Sequence, residues 1–290
     1  MPWRTDLAIE SCGGCDGPRI EGVAQECYIF GDVRVETVRI LSGEAAKKIG
    51  KPCGRYITVM TPAFASSRDV SEAEIEKIAQ EIRSLLPATG TILVVGLGND
   101  DITPDAIGPR TARQILATRH IDRKSAAMEG LGNLRSTAAL VPGVLGQTGV
   151  ESSEIVKALV DGIKPAAVIV IDALAARSIT RLGNTIQISD SGISPGSGVM
   201  NARKELSRES LGVPVISVGV PTVVDAATLI EDVLGENLDV AVFDDSSRRM
   251  MITPRDIDQL VGHACHTLAL AINRAMQEDL SFEVISYLMN

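Results

Sequence analysis

The residues of this chain best suited to chemistry are carboxylates at the ends of apolar runs. Asp105 closes the stretch Gly96-Leu97-Gly98-Asn99-Asp100-Asp101-Ile102-Thr103-Pro104-Asp105, which leaves the apolar run 91–98 (TILVVGLG). Asp172 lies inside AAVIVIDAL (166–174). That run reads as a strand of a sheet interior, where an ionised carboxylate is costly without a partner. An acidic residue there is a candidate for function. Asp105 has two readings, because it also opens a helical stretch whose dipole favours a carboxylate. Spacing alone leaves that choice open. If both runs are central strands, the two carboxylates converge in one crevice at the strand ends. A close pair shares a proton: the ionised member activates water and the protonated member polarises a carbonyl.

Other chemistries fit less well. Gly96-x-Gly98 after a strand invites a dinucleotide reading. The third glycine of that fingerprint is Asp101 here, and Asp100, Asp101 and Asp105 would repel a pyrophosphate. No acidic residue ends the next strand, at Val141, to hold a ribose. The glycines read instead as a tight turn that brings loop backbone close to a neighbour. The three histidines are His120, His263 and His266. None ends a buried run, so no metal is expected, nor any other cofactor. His263 and His266 lie one turn apart and read as a polar helix face. Cys12-x-x-Cys15 could be half a zinc site or a redox pair, but no second such pair exists and no strand precedes it. It reads as structural or incidental. Ser197, in Pro195-Gly196-Ser197-Gly198, has no evident base.

These groups need a scaffold, and composition limits its kind. Of 290 residues 45% are apolar and only 3% aromatic, so the core must be built from Val, Ile, Leu and Ala. Parallel strands buried on both faces have that composition. The net charge of −9 disfavours a nucleic-acid surface, and no basic run is present. No apolar stretch has the length of a membrane span, and MPWRTDLAIE has no apolar signal core. A cytoplasmic protein is expected, with its five cysteines reduced.

Along the chain, the first 26 residues read as irregular. Residues 33–41 and 55–60 read as short strands. Ser71 with Glu74 forms a capping box ahead of an amphipathic helix that Pro87 stops. Strands are expected at 91–98, 136–143, 166–174 and 213–221, and a more exposed one at 184–190. Helices are expected at 105–118, 151–161, 222–233 and 254–277. This alternation implies an α/β fold: a mainly parallel, doubly wound sheet flanked by helices, with a small N-terminal antiparallel β annex. A single domain over 1–290 is the simplest organisation.

Four long blocks carry a resemblance: VVGLGNDDITPDAIGP (94–109), VPGVLGQTGVE (141–151), IDALAARSITRLGNTIQISDSGISPGSGVMNARKE (171–205) and GVPVISVGVPTVVDA (212–226). With RTDLAIE near the N-terminus, they resemble the germination protease family of spore endopeptidases. The resemblance implies an atypical aspartic peptidase, related in fold to the hydrogenase maturation proteases. It implies a self-processing zymogen of the forespore and spore core, assembled as a homotetramer. The implied substrates are the small acid-soluble proteins that coat spore DNA. The family's two aspartates lie in T-P-D-A and I-D-A-L-A-A-R, which stand here at Thr103–Ala106 and Ile171–Arg177, so the roles carry to Asp105 and Asp172. Asp6-Leu7-Ala8-Ile9-Glu10 matches the processing pattern, which implies a propeptide 1–6 and cleavage between Asp6 and Leu7. RTDLAIE also reads as a plain surface segment.

The chain departs from the family pattern in three ways. Only six residues would be removed, the segment 233–250 is short, and CGGC is not a family feature. The maturation proteases use comparable carboxylates with a His to hold a metal, and that His is not evident here. A metal-dependent peptidase of the same fold and a non-enzymatic binding module are the alternatives.

Overall fold

The computed structural model describes residues 5–62, 64, 70–122, 133–194, 204–234 and 250–289. Within them the strands are β1 Val23–Phe30, β2 Val33–Ile40, β3 Gly54–Met60, β4 Ile92–Gly96, β5 Thr137–Leu140, β6 Ala167–Ala176, β7 Thr185–Ser189, β8 Val215–Asp225 and β9 Met251–Ile252. All nine belong to one sheet, in the order β1-β2-β3-β7-β8-β6-β4-β5, with β9 on the far end of β8. The strands β8, β6, β4 and β5 are parallel, as the three apolar runs imply. The antiparallel N-terminal strands continue from them through β7 and β3, so annex and core share one sheet.

Helices cover both faces. Glu72–Arg83, Ile107–Ala112 and Ile257–Met276 pack on one face, over Val94, Ile169, Ile171 and Val218. Ser152–Ile163 covers the other, over Leu93, Val95, Val168 and Val170. These strand residues are completely buried, and each contributes about 1.5–3 kcal/mol of burial free energy. The first of these helices starts with the expected capping box: the Glu74 amide donates to Ser71 Oγ at 3.3 Å, and Ser71 N–H donates to Glu74 Oε2 at 2.8 Å.

Four expectations change. The first half of β1 falls within the stretch read as irregular; it is an edge strand with an exposed outer half, so it carries no clear apolar alternation. The helix expected at 105–118 is only Ile107–Ala112. The buried side chain of Asn273 ends it, donating to the Gln114 carbonyl at 2.9 Å and accepting from Leu116 N–H at 2.9 Å. β7, expected to be exposed, is buried throughout because β3 and β8 flank it. β6 and β8 run past their expected ends to Ala176 and Asp225, with a bulge at Leu174/Ala175 beside Pro221. A proline is tolerated in a strand at such a bulge. No helix among the described residues is long and apolar enough to cross a membrane.

Candidate active site

One row across the sheet organises the site. Gln187 on β7 pairs with Gly219 on β8, and Gly219 pairs with Asp172 on β6. Residues in register point to the same face of a sheet. Ser189 and Ser217 form the next row on that face. Together they floor a cavity of about 570 Å³, whose lining includes Asp6, Lys51, Tyr56, Asp105, Asp172 and Gln187. Asp172 is 6% exposed, and its Oδ1 accepts from Ala173 N–H at 2.9 Å.

Asp105 reaches the same cavity from the loop after β4. It ends a 3-10 turn, Thr103–Asp105, that Pro104 begins to shape. Ala106, not Asp105, caps the following helix. The Asp105 carboxylate turns back instead, accepting from Asn99 N–H at 2.7 Å. The helix-start reading is therefore set aside. Glycines make this close packing possible: a Cβ on Gly98, at φ +114°, would stand 2.0 Å from the Asp105 carbonyl oxygen. A Cβ on Gly108 would stand 2.1 Å from that of Leu97. Thr222 Oγ1 holds the loop from β8 by donating to the Pro104 carbonyl at 2.7 Å. Asp100 and Asp101 are outside the cavity lining. Asp100 pairs with Arg113 and Arg110, whose guanidinium hydrogen bonds hold its carboxyl below the usual range.

The N-terminal segment lies along the extension of β6. Asp6 N–H donates to the Ala175 carbonyl at 2.8 Å, and Ala175 N–H donates to Asp6 Oδ2 at 2.8 Å. Gln187 Nε2 donates to the Asp6 carbonyl at 2.9 Å, and its Oε1 accepts from Ala8 N–H at 2.7 Å. The Glu10 carboxylate accepts from Arg177 N–H at 2.7 Å and from Ser178 N–H at 3.0 Å. Leu7 is fully buried, packed with Ile9, Leu174, Ala176 and Val224. RTDLAIE is thus no free surface segment from Thr5 onward. Lys51 Nζ donates to the Thr5 carbonyl at 2.9 Å. Burial pushes its ammonium pKa down, and the charges of Asp6 and Glu10 offset part of that.

The remaining candidates lie elsewhere. His263 Nδ1 is 2.7 Å from the Phe64 carbonyl oxygen and His266 Nδ1 is 3.3 Å from Gln114 Oε1; His120 is exposed. None of the three lines the cavity. Among the described residues, no group of three or more His, Cys, Asp or Glu is arranged to hold a metal. Cys12 and Cys15 are free thiols. Cys12 Sγ donates to the Ala8 carbonyl at 3.3 Å, while burial first, then Cys27 and Glu36, push the Cys15 thiol up to about 12. Ser197 lies outside the described residues. Sequence reasoning missed Gln187 and Lys51. The polar positions of NTIQISD were the available signal for Gln187; Lys51 had none.

The sheet and its cavity define an α/β fold with a carboxylate-bearing crevice at its parallel strand ends. A model of the germination protease family matches residues 14–240. A germination protease of Clostridium perfringens is 38% identical over 99% of both chains. One from Clostridium tetani is 39% identical over 100% of both, and one from Bacillus licheniformis is 43% identical over 80% of this chain and 66% of that one. Among solved structures, the [NiFe] hydrogenase maturation protease HycI from Thermococcus kodakarensis KOD1 aligns at a TM-score of 0.37 and 16% identity, covering 66% of this chain and 98% of that one. The chain belongs to the germination protease family and is a peptidase.

Proposed function

We propose that this chain is the endopeptidase that degrades small acid-soluble spore proteins in the germinating spore, with Asp105 and Asp172 activating the attacking water. The observation that carries this reading is that both carboxylates line one cavity with Asp6, the residue before the proposed processing bond. One carboxylate, ionised, takes a proton from water as it attacks the peptide carbon. The other, protonated, donates to the leaving nitrogen.

The same reading makes the chain a zymogen that cuts itself between Asp6 and Leu7. It is supported by the docking of residues 5–10: a buried apolar Leu7, and an acidic Glu10 held by two backbone N–H groups on the β6 extension. A spore protein with an acidic residue, a large apolar residue, Ala and a Glu two residues further on would use the same contacts. Assembly as a homotetramer accords with the exposed Tyr28, Ile29 and Phe30 on edge strand β1. The forespore and spore core, where those substrates lie, are the proposed location.

The test is to incubate the purified chain with a purified small acid-soluble spore protein and map the products by mass spectrometry. Cleavage between the acidic and the large apolar residue of that pattern is expected. A spore protein left intact by the processed chain, or cut at unrelated sequences, would overturn the reading.

A further inference from the structure

Gln187 grips the docked segment with both ends of its amide. Nε2 donates to the Asp6 carbonyl at 2.9 Å and Oε1 accepts from Ala8 N–H at 2.7 Å. These two backbone groups flank Leu7, and the first is the carbonyl of the Asp6–Leu7 peptide bond. The orientation of the amide follows from its partners: turned over, it would set oxygen against oxygen and N–H against N–H. The side chain is buried, in a strand held between β3 and β8. Its neighbour in the row is Gly219, and the next is Asp172. Gly219 has no side chain of its own and Leu174 packs over it, and the amide and the carboxylate stand on either side, about 10 Å apart at the backbone.

We propose that Gln187 is a catalytic residue: its Nε2–H stabilises the oxyanion that forms on the carbonyl oxygen of the bond being cut. This rests on the reading that the Asp6–Leu7 bond is the one cleaved. Water oxygen bonds to the Asp6 carbonyl carbon and its proton passes to the ionised carboxylate. The carbonyl π pair moves onto the oxygen that lies 2.9 Å from Nε2 in the docked, uncleaved segment, and a donor already aimed at it strengthens as the charge develops. Collapse restores the carbonyl and breaks the C–N bond, and the Leu7 nitrogen takes a proton from the carboxyl group. The products are Asp6 with a free carboxylate and Leu7 with a free amine. The Gln187 amide is unchanged.

The experiment compares wild type, Gln187→Ala and Gln187→Glu in the full chain. It reads the first-order appearance of the Leu7 N-terminus by mass spectrometry and kcat and KM on a small acid-soluble spore protein, each across pH. Gln187→Ala should slow self-cleavage on the order of 10²–10³-fold, with kcat falling by more than KM rises, since its ground-state bonds to the segment are lost as well. Gln187→Glu, nearly isosteric and so informative even if the alanine variant does not fold, should be slow at neutral pH. It should recover relative to wild type as pH falls and the introduced carboxyl regains a donor proton. Wild-type rates in either variant at neutral pH, a raised KM with kcat kept, or a pH-independent ratio for Gln187→Glu would overturn the role of Gln187 alone. A wild-type chain that cleaves spore protein but never yields a Leu7 terminus would overturn the assignment of the bond, and this proposal with it.

Discussion

Truncating Glu10 should release the N-terminal segment without unfolding the sheet. The Glu10 carboxylate accepts two backbone N–H bonds, from Arg177 at 2.7 Å and Ser178 at 3.0 Å, and one from the Thr5 hydroxyl. A hydrogen bond to a charged acceptor contributes about 1.5–3 kcal/mol, with partly exposed ones at the low end. Two such backbone bonds lost in Glu10→Ala cost about 3 kcal/mol, on the order of a hundredfold in the local opening equilibrium. Leu7 and Ile9 still pack against Leu174, Ala176 and Val224 in the closed form, so the segment opens more often without being lost outright. Hydrogen exchange read by mass spectrometry is the assay. Amides of residues 6–12, and of Ala175, whose N–H is held by Asp6, should exchange on the order of a hundredfold faster in the variant, while those of β4, β8 and the rest of β6 keep their protection. Self-cleavage should slow in parallel, because the bond is no longer held at the cavity. Unchanged exchange in residues 6–12 would refute the reasoning that Glu10 anchors the segment.

Gly219→Ala would put a methyl 2.6 Å from Leu174 Cγ and 2.9 Å from the Asp172 carbonyl oxygen. A stability loss of about 1–3 kcal/mol in denaturant unfolding is expected. A larger loss is expected in kcat, about 10²-fold, since the row that carries Asp172 shifts. Burial pushes the Tyr56 hydroxyl up to about 12, and this hydroxyl donates to the Pro52 carbonyl at 2.8 Å. Its folded value lies above the unfolded one, so its contribution is present below about pH 10 and is lost as pH rises towards 12. Burial and Glu81 raise Tyr28 as well, so alkaline spectrophotometric titration of the wild type and Tyr56→Phe should differ by one late tyrosinate. Exposed Cys27 and Cys53 should react with a thiol reagent in the native protein, whereas Cys265, buried and pushed up to about 11, should react only on unfolding.

The legible part of the fold was the part whose burial leaves a pattern. VIVID and TILVVG are runs dominated by Val, Ile and Leu, and they are central parallel strands. The Ser71 capping box was readable because its bonds span three residues. β1 was not readable, because an edge strand with an outward half needs no apolar alternation. Nor was the early end of the helix at Ala112, which depends on Asn273, a residue 161 positions later than Ala112 in the chain. The site followed the same rule. Asp172 stood out because a carboxylate in an apolar run is costly, whereas Asp105 needed the fold to show its side chain turned back to Asn99. Gln187 is an unremarkable polar residue in NTIQISD until β7 is set beside β8 and the N-terminal segment lies across it. Its partners are 179 and 181 residues away, a distance no local pattern reports.

The central claim is that Asp105 and Asp172 act as one pair. Turnover of a small acid-soluble spore protein by Asp105→Asn, Asp172→Asn and the double variant, each checked for folding by circular dichroism, tests it most directly. Groups that act as a unit are not additive, so each single variant should lose about 10⁴-fold or more and the double variant little beyond that. Full activity in either folded single variant would contradict the claim.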